Sequence, residues 1–399
     1  MNFKKALTQH SMIIITCLSA VSVFHANGYA QGEKGWVHPF VEVSETFDDN
    51  VFLTENNEDY DLITRVTPGV EIEPNLARHK FKADYYADLV IFSHFNDQNH
   101  YDHTSHAEAE LNFNKLHFNA KNKFRYFSDR SGSEDVNRVP RTQDHASAGY
   151  TYNFRKMDVS ATYYYKWEDY RTSESIGNYK GEPLTYQDLD RNEHMGEIEA
   201  ALKIWPKTSL LFLADFGGIM HRTGKKPDSK YFDVLVGLHG EPWSKLTVEG
   251  NIGFRGQYYA KGATDYNNIV FNASLVEEFT PRNILRLDFI RTTNETIYKD
   301  NPYYVSTFVG GTYRHGFTDR IYADLMGSYQ RDGYPVKTRE PVGFDRRYDN
   351  IWTGGASVAY ETPWGFITEL KYLCMIKDSN FGAFDYNDNT LTLTARAEF

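Results

Sequence analysis

Three features of the sequence predict an all-β fold: a transmembrane antiparallel up-and-down β-barrel. Apolar and polar residues alternate through almost the whole chain. Short turns and longer polar connections follow one another in regular succession. The last segment is an amphipathic run that stops on Phe399. Counting the alternating runs gives about 18 strands, within about 16–20.

The alternation is strand-like because successive side chains on a strand point to opposite faces. Between Asp158 and Trp167, Val159, Ala161, Tyr163, Tyr165 and Trp167 interleave with Asp158, Ser160, Thr162, Tyr164 and Lys166. Leu116, Phe118, Ala120, Phe124 and Tyr126 interleave with His117, Asn119, Lys121, Lys123 and Arg125. Each run has one greasy and one wet face. A soluble sandwich would alternate too, so the connections decide. Short turns are expected near Pro74-Asn75, Asn114-Lys115, Arg155-Lys156, Pro206-Lys207, Pro242-Trp243, Pro281-Arg282, Thr318-Asp319 and Pro363-Trp364. They recur about every 36 to 50 residues, which suits two spanning strands with one turn and one loop. Longer polar connections at Ser128–Arg141, Tyr170–Arg191, Arg331–Arg346 and Lys377–Ala383 fall between them. That asymmetry assigns the turns to the periplasm and the loops to the outside. Trp205, Trp243 and Trp364 sit beside turns, where an interfacial aromatic girdle is expected.

The ends of the chain fit the same scheme. Lys4 and Lys5 precede an apolar stretch, Met12 to Phe24, too short to span a bilayer, and Gly28-Tyr29-Ala30 offers small residues for cleavage. Residues 1–30 are therefore expected to be a signal peptide and residues 31–399 a single barrel domain without a plug. At the other end Leu391, Leu393, Ala395, Ala397 and Phe399 alternate with polar residues. This final strand resembles the signal read by the outer-membrane barrel assembly machinery, an expected partner alongside outer-membrane lipid.

Mean hydropathy is −0.59, as in a soluble protein, because lipid-facing and lumen-facing residues cancel. The net charge of −11 argues against nucleic acid as a partner, which needs a basic footprint. Removal of the leader leaves Cys374 as the one cysteine, so neither an internal disulfide nor a Cys-rich metal site is expected.

After the leader the chain reads Thr46-Phe47-Asp48-Asp49-Asn50-Val51-Phe52-Leu53, then Asp61-Leu62-Ile63-Thr64-Arg65-Val66-Thr67-Pro68-Gly69-Val70. This "DDNVF" loop followed by a "D-x-I-T-x-V-x-P-G" strand resembles the β-barrel porin type 2 family. Members are commonly found with exopolysaccharide and capsule loci. The resemblance implies an outer-membrane pore supporting polysaccharide export or secretion, with a saccharide solute and periplasmic polysaccharide-export components as partners. It supplies no catalytic residues. From the residues alone, Asp48, Asp49 and Asn50 read as a turn-forming loop tip.

Motifs for phosphate loops, dinucleotides, zinc proteases and serine hydrolases are missing, so no catalytic residue, cofactor or metal site is assigned. His94, His100, His103 and His106 could gather a metal on a flexible loop, but positions three apart point to opposite faces of a strand. The candidate functional residues are the charges on the wet face: Lys82, Asp84, Asp88, Lys121, Lys123, Arg125, Lys166, Glu168, Glu249, Arg255, Arg286, Asp288, Asp324, Glu369, Lys371 and Arg396. On the lipid face each would cost about 2–4 kcal/mol at the midplane, so they are expected to line the lumen. There they either brace the wall as ion pairs or shape a selective field. Loop aromatics Tyr170, Tyr179, Tyr186, Tyr334, Phe344 and Tyr348 either stack on sugar rings or pack loop against loop. The expectation is a channel-forming barrel for a surface polysaccharide. The alternatives are a non-channel adhesin or assembly anchor, and an outer-membrane hydrolase.

Overall fold

The structure, a computed structural model, describes residues 36–74, 76–130, 134, 137–179, 182–297, 301–340 and 343–399. The expected signal peptide lies outside the described residues, as do parts of the connections Ser128–Arg141, Tyr170–Arg191 and Arg331–Arg346 and the side chains of Tyr179 and Phe344.

The strands in chain order are β1 (Val37–Asp48), β2 (Asp61–Ile72), β3 (Lys80–Phe92), β4 (His100–Phe113), β5 (Leu116–Arg130), β6 (Arg138–Asn153), β7 (Met157–Tyr170), β8 (Ser175–Tyr179), β9 (Glu182–Thr185) and β10 (Arg191–Trp205). They continue with β11 (Thr208–His221), β12 (Ser229–Trp243), β13 (Leu246–Tyr259), β14 (Tyr266–Thr280) and β15 (Asn283–Glu295). The last five are β16 (Tyr303–Gly316), β17 (Ile321–Glu340), β18 (Gly343–Glu361), β19 (Phe366–Ser379) and β20 (Tyr386–Glu398). Among the described residues eighteen of these make one antiparallel sheet, and β8 and β9 form a separate hairpin in the connection after β7. The sheet closes where β1 pairs with β20, from Phe40↔Glu398 to Asp48↔Thr390. The expected strand number and topology are the observed ones. No helix among the described residues is long and apolar enough to cross a membrane.

Strand length follows from the bilayer. The 13 residues of β3 rise about 33 Å along the barrel axis, taking roughly 3.3 Å per residue and a tilt near 40°. An apolar band of about 25 Å fits within that rise. The outer wall carries that band in exposed rows: Phe212 and Phe216, Val234 and Val236, Ile252 and Phe254, Leu370 and Tyr372, Leu391 and Leu393. Trp205, Trp243 and Trp364 are all more than half exposed at the turn end.

Six of the eight expected short turns are observed where expected; the turn expected at Pro74-Asn75 lies instead at Ala77-Arg78, closed by the Leu76–His79 bridge, with Asn75 outside the described residues, and the one at Pro242-Trp243 is shifted. β12 runs through Trp243, so the turn there is Ser244-Lys245, with Lys245 at φ 73°. A register shift between Gly240 and Trp243 explains the added residues. Gly240 itself has φ +125°, and a Cβ there would run into the Lys207 carbonyl of the neighbouring turn. On the opposite rim, Arg331–Arg346 is not a loop as expected. The β17–β18 ladder resumes past a bulge at Gly333/Lys337 and pairs Lys337 with Arg346. Polar composition there marks strands that rise clear of the membrane.

One seam interrupts the wall. The β14–β15 ladder ends at Phe271↔Arg291, although β14 extends to Tyr266 and β15 to Glu295. Above this point Glu295 and Thr293 bond across to β13: Tyr259 donates to Glu295 at 2.8 Å, and Thr293 donates to Gln257 at 2.9 Å. Tyr303 stacks on Tyr259 at 5.4 Å in the same place. The upper ends of β15 and β16 therefore pack onto β13 rather than continuing the β14 ladder. With Leu211, Leu213, Leu235 and Val270 they form the largest apolar cluster.

Candidate functional site: a charged lumen beneath a loop-built mouth

The sixteen candidate charges lie on the strand faces opposite the exposed apolar rows. On β3, β5, β7, β13, β17, β19 and β20 this follows directly from exposed neighbours such as Tyr85, Phe124, Tyr163, Phe254, Leu325, Leu370 and Leu393. On β15, Leu285 and Phe289 share the outer face with Tyr313 and Val309, which leaves Arg286 and Asp288 inward.

Most of these charges have a partner on the wall, some directly opposite on the next strand and others along the same strand or two strands away. Lys121 meets Glu108 at 2.6 Å and Lys166 meets Glu193 at 3.3 Å. Arg255 forms two parallel bonds to Asp233, at 2.8 and 2.7 Å, and Arg314 does the same to Asp324 at 2.8 Å each. Lys82 reaches Glu71 at 3.4 Å, Arg286 meets Asp288 at 2.8 Å, and His106 meets Asp84 at 3.3 Å. Thr67 donates to Asp88, and Arg125 lies 3.8 Å over the Phe127 ring. Glu168 binds Arg191 at 2.7 Å and accepts from Gln143 at 2.7 Å. Arg396 spans Glu71 at 3.2 Å and Glu398 at 2.9 Å. Lys123, Glu249, Glu369 and Lys371 stand opposite His145, Ser274, Thr394 and Thr392. Pairing of this kind braces the wall. It also leaves two polar cavities. One of about 290 Å³ lies between Lys166, Arg191, Tyr231, Arg255 and Glu295, and one of about 360 Å³ lies between Glu42, Arg65, Asp88, Arg125 and Arg396.

The mouth is built from loops, and the "DDNVF" segment is its keystone. The segment forms a turn as expected, with the Asn50 amide donating to Asp48 at 3.0 Å, but Asn50 and Val51 are fully buried rather than standing at a free tip. The polar side chains are consumed in anchoring. Asp49 accepts from the Asn389 amide at 2.7 Å and from its side chain at 2.8 Å. Asn50 donates to the carbonyls of Asn387 at 2.7 Å and Thr54 at 2.8 Å, and accepts from the Thr54 amide at 2.9 Å. Val51 packs with Val90 and Phe92, and its carbonyl accepts from Arg130 and Arg138. Asp61 holds the next connection by accepting from the amides of His94 at 3.0 Å and Phe95 at 3.1 Å.

Other loops reach in from the far side. Glu134, buried in the β5–β6 connection, accepts from the Thr296 hydroxyl and from the Ile297 amide at 2.9 Å. Burial pushes its carboxyl above the usual range. Burial likewise lowers the ammonium of Lys226 to about 8, while Glu295 and Glu134 oppose that shift. After β7, the Asp190 carboxyl is pushed up to about 6 by burial, and neighbouring Asp169 adds to the shift. Arg222 spans both, at 2.8 Å to Asp169 and 3.4 Å to Asp190. Tyr170 stacks on Tyr186 at 5.8 Å and Tyr334 on Tyr304 at 5.5 Å, so these aromatics pack against other rings of the protein.

Between the loops lies a vestibule of about 370 Å³, lined by Phe52, Glu55, Tyr186, Ile297, Lys377 and Phe384. These residues come from both halves of the chain. Sequence reasoning missed Glu134, Arg130, Arg138 and Lys377, because their roles depend on contacts across the mouth. Only the "DDNVF" string gave a local signal.

The four histidines do not converge. His94 lies by Asp61 at 3.2 Å, His100 by Asp102 at 3.8 Å and His106 by Asp84, while His103 pairs with outward-facing Tyr85 at 2.8 Å. Among the described residues no group of three or more His, Cys, Asp or Glu could hold a metal ion. Asp385 accepts from the Ser379 amide at 2.6 Å and so closes its own hairpin.

Residues 24–399 match the family described as Putative beta-barrel porin 2. No curated protein matches the chain in sequence. Among solved structures the chain is similar to the outer membrane protein OpdK of Pseudomonas aeruginosa, with 8% identity and a TM-score of 0.47 over 91% of this chain and 99% of that one. It is also similar to OccAB4 of Acinetobacter baumannii, with 8% identity and a TM-score of 0.49 over 92% and 99%. For OpdO of Pseudomonas aeruginosa the values are 12% and 0.48 over 91% and 97%.

Proposed function

The chain belongs to the Putative beta-barrel porin 2 family, and from that premise we propose that this outer-membrane, porin-like barrel conducts a saccharide, in support of surface-polysaccharide export. The vestibule carries the reading. Its aromatic and apolar walls, Phe52, Tyr186, Ile297 and Phe384, face the same space as Glu55 and Lys377. Sugar rings offer apolar faces rimmed by hydroxyls, so flat side chains beside charged hydrogen-bonding groups suit them. The charged, ion-paired wall below keeps the path wet. The mouth is narrow because loops fold over it, so passage requires those loops to shift. Periplasmic export components or the solute gradient supply the drive, since the sequence carries no nucleotide-hydrolysis motif.

Planar-bilayer conductance of refolded residues 31–399 tests this reading. Stepwise currents that oligosaccharides block are the expected result. Currents indifferent to every oligosaccharide would remove the saccharide assignment. A folded barrel that stays silent even with export components present would remove the channel.

A further inference from the structure

The seam between β14 and β15 opens on the outer wall as a notch of about 400 Å³. Its lining includes Arg291, Arg331, Arg346, Tyr266 and Tyr348. We propose that this notch is a binding site for the phosphate groups of an outer-leaflet glycolipid.

Three observations carry the assignment. The first is orientation. Arg291 pairs with Thr307 and Thr307 with Arg331, on the face that carries exposed Val309 and Tyr313. This is the lipid-facing side, which elsewhere carries exposed apolar rows such as Val234 and Val236.

The second is height. Arg331 stands ten residues above Ile321, at the start of β17, which is about 25 Å along the axis. That is the upper edge of an apolar band about 25 Å tall. Two residues below, Tyr329 and Trp352 pack at 4.3 Å on the outer wall, as a pair of interfacial aromatics would. Arg331 therefore sits at the level of the outer-leaflet headgroups, and Arg346 stands above it on the part of β18 that rises clear of the membrane.

The third is charge. Arg291 donates to the Thr307 hydroxyl at 2.7 Å, and Arg331 lies 4.9 Å over the Tyr348 ring. Among the described residues none of Arg291, Arg331 and Arg346 forms a salt bridge, whereas adjacent Arg347 is bound to Asp349 at 2.6 Å. Guanidinium groups on a membrane-facing wall need an anion, and phosphate matches their fork geometry. The chain as a whole carries a net charge of −11, which makes an uncompensated basic notch a local device rather than general composition.

The ligand is a phosphate monoester or diester on a sugar headgroup, held by the arginines. The β14 edge at Tyr266 and Asn268 bounds the notch.

Native mass spectrometry of the refolded barrel with bis-phosphorylated lipid A tests this, using the enzymatically dephosphorylated lipid and inorganic phosphate as comparison probes. Retention of the phosphorylated lipid, with about tenfold weaker retention of the dephosphorylated form, is the expected result. Arg331→Gln combined with Arg346→Gln should lower retention by a similar factor, while Arg331→Lys recovers part of it. Arg282→Gln, at a periplasmic turn, should leave retention unchanged. Equal retention of both lipids by the unaltered barrel would overturn the site without recourse to any variant. Displacement of the lipid by millimolar inorganic phosphate would also overturn it, by reassigning the notch to free anions.

Discussion

The carbonyl oxygen of Val51 accepts a hydrogen bond from Nη2 of Arg130 at 2.8 Å, and Arg138 adds a second at 3.1 Å. One backbone atom of the first loop is thus held by two guanidinium groups from the β5–β6 rim. Charge-assisted bonds of this kind contribute about 1.5–3 kcal/mol each. Arg130→Gln with Arg138→Gln should free the first loop and raise single-channel conductance. The open fraction should grow by about tenfold or more if one such bond limits opening. Bilayer recordings of both proteins make the comparison.

Glu134 supplies two acceptors to the β15–β16 connection from inside the mouth. Glu134→Ala strands the Thr296 hydroxyl and the Ile297 amide, at about 1–3 kcal/mol for each buried group left unpaired. Glu134→Gln keeps one acceptor and should cost less. The midpoint of heat-modifiable migration should fall in the order native, Gln, Ala.

Asp349 is fully buried and binds Arg347 at 2.6 Å and Lys377 at 3.2 Å. Asp349→Asn leaves two buried cations facing one neutral amide. A loss of about 3–5 kcal/mol is expected, read as a lower urea midpoint for refolding into vesicles.

Asp190 gives the loop after β7 a pH dependence. Its carboxyl titrates near 6 in the folded barrel, raised by burial and by Asp169 from an ordinary 3.8. The folded state therefore binds the proton more tightly than the unfolded chain does, and local stability rises as pH falls from above 6 toward 3.8. Arg222 contacts Asp169 and Asp190 and limits the effect without removing it. Amides in the Tyr170–Arg191 connection should exchange more slowly at pH 5 than at pH 7.5, after correction for intrinsic rates. Asp190→Asn should abolish the difference.

Phe399 ends the strand proposed as the assembly signal. Its amide bonds to the Pro39 carbonyl at 2.9 Å, so a side-chain change leaves the barrel closure intact. Phe399→Ala should slow insertion into vesicles containing the assembly machinery by several-fold. It should leave spontaneous refolding in detergent unaltered.

The wall was legible in the sequence because period-two alternation is a local property. Lys121 and Phe124 declare their faces whichever strand lies next door. The turns were legible for the same reason, and the Pro242-Trp243 shift arises from a bulge that alternation does not report. The mouth was less so. Asp48 to Val51 has a loop-tip composition, yet the segment is buried because Arg130, Arg138 and Asn389 receive it, and these stand about 80 to 340 residues away. The seam at Phe271↔Arg291 had no visible sign, since β14 and β15 alternate normally on both sides of it.

The pairing of Phe40 with Glu398 joins the two ends of the wall. Seventeen of the eighteen wall contacts join strands that follow one another around the barrel, whereas the closing contact spans almost the whole chain. Its loop-closure entropy is met before any of its hydrogen bonds is gained, which makes it an intrinsically slow step. Until then the nascent sheet has two unsatisfied edges, each able to zip onto another chain. An open ribbon of this chain carries an edge-pairing hazard that the closed barrel removes.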